Sequence, residues 1–69
     1  MTVAETKARN LIAGQSTTDL ITQFELTDIS TDPHIYTVRG WLMDELEKRN
    51  PEAFWKWVDS NEESPRNFF

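Results

Sequence analysis

The sequence predicts an all-α protein, a small three- to four-helix bundle with a tight corner between its last two helices. Three observations carry this expectation. A capping residue precedes proline at Asp32-Pro33 and again at Asn50-Pro51, a pattern that starts two successive helices. Between those points Ile35, Val38, Leu42 and Leu46 fall within an arc of about 80° at the helical period. Polar connectors at Gly14–Thr18 and Asp28–Asp32 divide the remaining chain into helix-length segments.

The first helix is expected from Met1 to Ala13. Thr2 and Glu5 fit a capping box, and Gly14 reads as a left-handed stop. Ala4, Ala8, Leu11 and Ile12 share a side, but only two of them are large, so residues 1–14 are expected to attach loosely. Ser16 or Thr17 caps a second helix reaching about Asp28, with Leu20, Ile21 and Phe24 on one face. Leu26 and Ile29 fall on other faces, near the turn.

The third helix is expected from Pro33 to Arg49, with Asp32 capping its free N–H groups. Asp44–Lys48 and Glu45–Arg49 are i,i+4 pairs in the favourable order. Pro51 disfavours helical geometry at Asn50, so the chain bends there and a fourth helix runs to about Ser60. Ser64-Pro65 ends regular structure, leaving residues 61–69 as a tail. The expected core is Leu20, Phe24, Val38, Leu42, Leu46, Phe54 and Trp57.

Sixty-nine residues make one domain, near the lower limit for folding without cross-links. The absence of cysteine excludes disulfides and thiolate metal sites. Twelve acidic residues against seven basic ones give a net charge of −5, which argues against direct nucleic-acid binding and against docking on anionic membrane. No apolar run approaches a membrane span or a signal-peptide block, so a cytoplasmic setting is expected. The single histidine, His34, has no Ser/Asp constellation around it, and the carboxylate spacing matches no metal-binding loop. No enzyme, cofactor, metal site or small-molecule substrate is therefore expected.

Surplus apolar bulk is the functional signal. Phe54, Trp55, Trp57 and Val58 span about 160°, wider than the ~100° stripe a surface helix buries. Phe54, Trp57 and Val58 are expected to pack inward, with Trp55 at the far edge, where it could form a patch with Phe68 and Phe69. Trp41 lies about 100° from the centre of the third helix's core stripe, and Tyr36 and Met43 flank the other side. Trp41 is either a contact to a second neighbour within the bundle or an exposed anchor of the type that dominates binding energy. Gly40 at mid-helix implies close approach by another helix, from this chain or from a second subunit. Arg39, at the stripe's edge, reads more readily as a structural ion pair than as a ligand contact. The acids of the C-terminal half (Asp44, Glu45, Glu47, Glu52, Asp59, Glu62 and Glu63) read as a solvated face or as a surface for a basic partner.

The stretch Thr37-Val38-Arg39-Gly40-Trp41-Leu42-Met43-Asp44-Glu45-Leu46-Glu47-Lys48-Arg49-Asn50-Pro51-Glu52-Ala53-Phe54, followed by Trp57-Val58-Asp59-Ser60 and Glu63-Ser64-Pro65-Arg66, resembles small uncharacterised proteins of actinobacteria and their phages. The likeness covers roughly the C-terminal half, with a weaker echo from Thr18 to Thr27. It implies a phage or mobile-element setting in a bacterial host and transfers no activity or functional residue.

Together these readings predict a non-enzymatic protein-interaction module. It would bind a host or viral protein, or itself, through an aromatic helical face, with Trp41, Trp55, Arg39 and Tyr36 as the candidate contacts. The alternatives are an acidic DNA-mimicking inhibitor of a nucleic-acid-binding protein and a small helix-turn-helix regulator built on the second and third helices. Basic residues at Arg39, Lys48 and Arg49 are sparse for the last of these.

Overall fold

The structure is a computed structural model that describes residues 3–69. Four α-helices, α1 (Val3–Ala13), α2 (Thr17–Leu26), α3 (Ile35–Arg49) and α4 (Pro51–Ser60), are supplemented by 3₁₀ turns at Thr27–Ile29 and Pro65–Asn67. No strand occurs among the described residues, so the all-α expectation holds. Helix α3 is central and contacts each of the other three. It contributes Leu42 and Leu46 to a core completed by Ile12, Leu20, Ile21, Phe24, Phe54 and Trp57. Val38, expected in the core at one edge of this stripe, is half-buried at the core's margin.

Helix α1 ends differently from the sequence expectation. Gly14 does not adopt a left-handed conformation; the end of α1 is closed by backbone bonds, Gln15 N–H to the Ile12 carbonyl among them, and by a side chain from elsewhere. Arg49, the last residue of α3, donates from Nη2 to the carbonyls of Ile12 (3.3 Å) and Ala13 (3.2 Å). These are terminal helix carbonyls that have no partner within their own helix. The same guanidinium reaches Thr17 Oγ1 at the start of α2 (3.2 Å) and Glu45 Oε1 (3.1 Å). One planar fork thus fixes the α1–α2 link against the end of α3. The predicted Thr2 cap lies outside the described residues. Of the two large residues expected to face inward from α1, Ile12 is buried and Leu11 is 70% exposed. Helix α1 is also held to α3 by an ion pair between Arg9 and Asp44 at 3.3 Å. Asp44 therefore pairs across the helix seam and not with Lys48.

Helix α2 begins as expected, with Ser16 Oγ accepting from the Asp19 N–H at 3.1 Å, and buries Leu20, Ile21 and Phe24. Its α-helical part stops at Leu26, where the chain tightens into the first 3₁₀ turn. The Thr27 hydroxyl is buried but satisfied: it donates to the Phe24 carbonyl (2.5 Å) and accepts from Arg39 Nη1 (3.0 Å). Asp32 does not cap a helix beginning at Pro33. Its Oδ1 instead accepts from the His34 N–H two residues on (2.8 Å), a local turn that delays the start of α3 to Ile35.

The Asn50-Pro51 corner forms as expected. Asn50 is extended (φ −150°, ψ 85°), as a residue before proline should be, and its Oδ1 caps α4 by accepting from the Ala53 N–H at 3.1 Å. Phe54 and Trp57 then turn inward. Trp57 meets Phe24 edge-on at 5.2 Å and Phe54 at 5.6 Å, a geometry aromatic rings favour. Its buried indole N–H donates to the Glu62 carbonyl (2.8 Å), so this donor is satisfied inside the core. Helix α4 ends at Asn61 in the left-handed region (φ 64°).

Regular structure does not end at Ser64-Pro65: a 3₁₀ turn follows at Pro65–Asn67, and the tail packs on the bundle. Pro65 is fully buried, and Phe68 and Phe69 pack half-buried on the core's margin. Arg66 clasps Glu25 of α2 through two parallel bonds (Nε to Oε2 2.9 Å, Nη2 to Oε1 2.7 Å), while the Ser64 hydroxyl donates to Oε2 at 2.7 Å. Three donors on one carboxylate, the Arg66 bonds first and Ser64 second, hold the Glu25 pKa down from 4.5 to about 2.

Replacing Arg49 by methionine should lower stability by about 2 kcal/mol, the range for hydrogen bonds involving a charged group. Lysine should not restore it, because an ammonium lacks the fork. A urea midpoint unchanged in either variant would contradict the assignment. Asn61→Val should cost about 1–2 kcal/mol, the penalty of a left-handed residue bearing a Cβ branch, whereas Asn61→Gly should be tolerated. Because the Glu25 pKa is lowered on folding, its stabilisation is complete above about 4.5 and is lost as pH falls toward about 2. Glu25→Gln should flatten the dependence of unfolding free energy on pH in that window, and identical profiles for the two proteins would refute it.

Candidate interaction surface

The four candidate contact residues occupy three different environments. Arg39 is committed internally: Nη1 pairs with Asp28 Oδ1 at 2.6 Å and with Thr27, while its guanidinium carbon lies 4.3 Å from the Phe24 ring centroid. That is the structural ion pair its position on α3 implied. Trp41 sits at the seam between α1 and α3, half-buried against the core, with the Arg9 guanidinium carbon 5.8 Å from its ring centroid. It serves the second intramolecular neighbour that its angle on the helix allowed. Tyr36 is 83% exposed at the start of α3, and Trp55 is 52% exposed on α4.

The corner at Asn50 sets the orientation of Trp55. Once Ala53, Phe54 and Trp57 are turned to the core, the helical period leaves Trp55 facing outward. Its ring is nevertheless braced, meeting Phe54 edge-on at 5.3 Å with the planes at 90°. A half-exposed indole held on a rigid helix loses little further rotamer freedom when a partner covers it. Val58, expected to pack inward, is 41% exposed, because the inward-facing arc of α4 is already filled by Phe54 and Trp57. Phe68 and Phe69 are drawn into the core margin, so the apolar element on the outer face of α4 is Trp55 with Val58.

The charges around this face are unbalanced. Lys56 pairs with Glu52 at 3.1 Å, and Arg9, Arg39, Arg49 and Arg66 are each engaged with carboxylates elsewhere. Among the described residues, the exposed Asp59, Glu62 and Glu63 have no ion-pair partner. They cluster at the C-terminal end of α4, whose last turn holds no basic residue. Carboxylates at the negative end of a helix dipole are unfavourably placed.

The described surface carries shallow clefts. One of about 230 Å³ lies between α1 and α3, bordered by Arg9, Ile12, Trp41 and Lys48. Another, about 130 Å³, is bordered by Thr27, Ile35, Tyr36 and Arg39. Both fall below the roughly 300 Å³ at which small-molecule sites begin. Among the described residues no group of three or more His, Cys, Asp or Glu is arranged to hold a metal ion, and no helix is long and apolar enough to cross a membrane. At Gly40 an added Cβ would meet nothing within 4 Å, so no close helix approach within the chain explains this glycine.

Two structural features here lay beyond sequence reading. Glu45–Arg49 was visible as an i,i+4 pair, but nothing in the spacing linked Arg49 to Ile12, Ala13 or Thr17. Likewise Glu25 and Arg66 are 41 positions apart, with no local signal of their pairing. Compared with known proteins, the chain matches no protein-family model, no curated protein and no solved structure.

Proposed function

We propose that this chain is a small non-enzymatic protein-interaction module that binds a protein partner through the aromatic face of α4, with Trp55 as its principal anchor. The supporting observation is that Trp55 remains 52% exposed while braced edge-on by Phe54, on a helix whose core-facing positions are already filled by Ala53, Phe54 and Trp57. Tryptophans in such positions dominate binding energy at interfaces far more often than their number would imply. Val58 extends the apolar face, and Tyr36 offers a second exposed aromatic at the start of α3. A phage or mobile-element origin within bacterial cytoplasm accords with the resemblance of the Thr37–Phe54 stretch. The partner is then a host or viral protein, or a second copy of the chain.

A second reading, an acidic inhibitor that imitates a nucleic-acid backbone, draws on the unpaired Asp59, Glu62 and Glu63. It differs in needing charge alone, so its binding would fall steeply with salt and be indifferent to Trp55. The helix-turn-helix alternative loses ground because residues 27–34 separate α2 from α3, where that motif uses a turn of three or four residues.

Trp55→Ala should leave far-ultraviolet circular dichroism unchanged and the midpoint of unfolding nearly so. Complex formation should weaken by about 2 kcal/mol or more, the scale of a hot-spot residue. Affinity capture from the bacterial host with the wild-type and variant chains, followed by mass spectrometry and light scattering, checks this. Equal recovery of every partner and equal mass in solution would count against the reading.

A further inference from the structure

We infer that the outer face of α4 takes a cationic amphipathic segment of another protein, its bulky apolar side chains against Trp55 and Val58 and its lysines or arginines against Asp59, Glu62 and Glu63. This assignment rests on the interaction reading of Trp55 and adds the chemistry of the partner. Two independent features of the face converge on it. The first is apolar: Trp55 and Val58 are one helical turn apart and stay 52% and 41% exposed. The second is electrostatic. Asp59 follows Trp55 by four positions on the same side of the helix, and Glu62 and Glu63 extend the negative charge just beyond the helix end.

Among the described residues none of these three acids has an ion-pair partner. Arg9, Arg39, Arg49, Lys56 and Arg66 are each held by other carboxylates. The carbonyl end of α4 deepens the negative potential at the same place. An apolar anchor with unpaired negative charge toward one end of its helix is complementary to an apolar segment with a positive flank. A second copy of this chain fits less well, because a two-fold contact through the face would set acids against acids. An anionic lipid surface is opposed for the same reason.

The test is isothermal titration of the full chain with a synthetic amphipathic Leu/Lys peptide, beside a matched Leu/Glu peptide and an oligolysine without leucine. The Leu/Lys peptide should bind, and tighter than either control. Trp55→Ala should weaken it about tenfold or more. The Asp59→Asn/Glu62→Gln/Glu63→Gln variant should weaken it several-fold and flatten its salt dependence. Glu47→Gln on α3 should change nothing. Absence of Leu/Lys binding, equal binding of the Leu/Glu peptide or oligolysine, or indifference to neutralising the three acids would overturn the inference. So would light scattering that shows a dimer dissociated by Trp55→Ala. A host partner that depends on Trp55 but ignores the three neutralisations would overturn the cationic assignment and leave the interaction reading standing. If no partner depends on Trp55, both fail.

Discussion

A single guanidinium, that of Arg49, holds three helices in register. The end of α1, the start of α2 and the end of α3 converge on it through Ile12, Ala13, Thr17 and Glu45. Helix termini leave carbonyls without partners, and in a chain this small few side chains are available to meet them. Arg49 can do so because it is the last residue before the Asn50-Pro51 break. The chain turns away immediately afterwards, so α4 does not occupy the space its side chain needs. The corner therefore has two consequences. It frees Arg49 to tie the N-terminal helices to α3, and it aims the aromatic face of α4 at Phe24.

The remaining architecture follows the same economy, in which polar groups near the core are answered from distant parts of the chain. Trp57 can be buried because the Glu62 carbonyl accepts its indole N–H, and Thr27 because Phe24 and Arg39 satisfy its hydroxyl. Arg66 and Ser64 fasten the final residues to Glu25, bringing Pro65, Phe68 and Phe69 to the core. Residues that look like a tail thus enlarge an interior that four short helices could not complete. Truncating a buried phenylalanine such as Phe24 costs about 3–5 kcal/mol, comparable with the whole stability of so short a chain. The core has little redundancy, which sharpens the contrast with what lies outside it.

The exposed apolar side chains belong to positions that the interior had no room to take. Helix α4 carries four bulky apolar residues over ten positions, and its inward arc admits Phe54 and Trp57. Trp55 and Val58 remain exposed, with Asp59 on the same side and Glu62 and Glu63 beyond the helix end, none of them ion-paired among the described residues. Arg39 and Trp41, which share α3 with Tyr36, are instead absorbed by the bundle itself. The proposed binding role therefore draws on α4 and its C-terminal acids more than on the central helix.

Helix existence, the Asn50-Pro51 corner, the Ser16 cap and the buried identities of Leu20, Phe24, Leu42, Leu46, Phe54 and Trp57 were legible in the sequence. Each depends on spacing or on a cap within a few residues, and local backbone chemistry is what a sequence pattern encodes. Helix α3 starts two residues later than its sequence signals imply, because Asp32 has two local uses, a helix cap and a turn closed by the His34 N–H, and propensity does not choose between them. The inward turn expected of Val58 and the left-handed conformation expected of Gly14 are not realised, for a different reason, and the pairing of the tail with Glu25 has the same origin. Their outcomes depend on which residue reaches a shared space first: Phe54 and Trp57 ahead of Val58, Arg49 in place of Gly14, Glu25 as the holder of Arg66. Periodicity by itself determined which residues this protein offers to its neighbours; only the tertiary structure decided which offers were taken, because contacts between residues tens of positions apart are fixed by packing and leave no mark on local sequence.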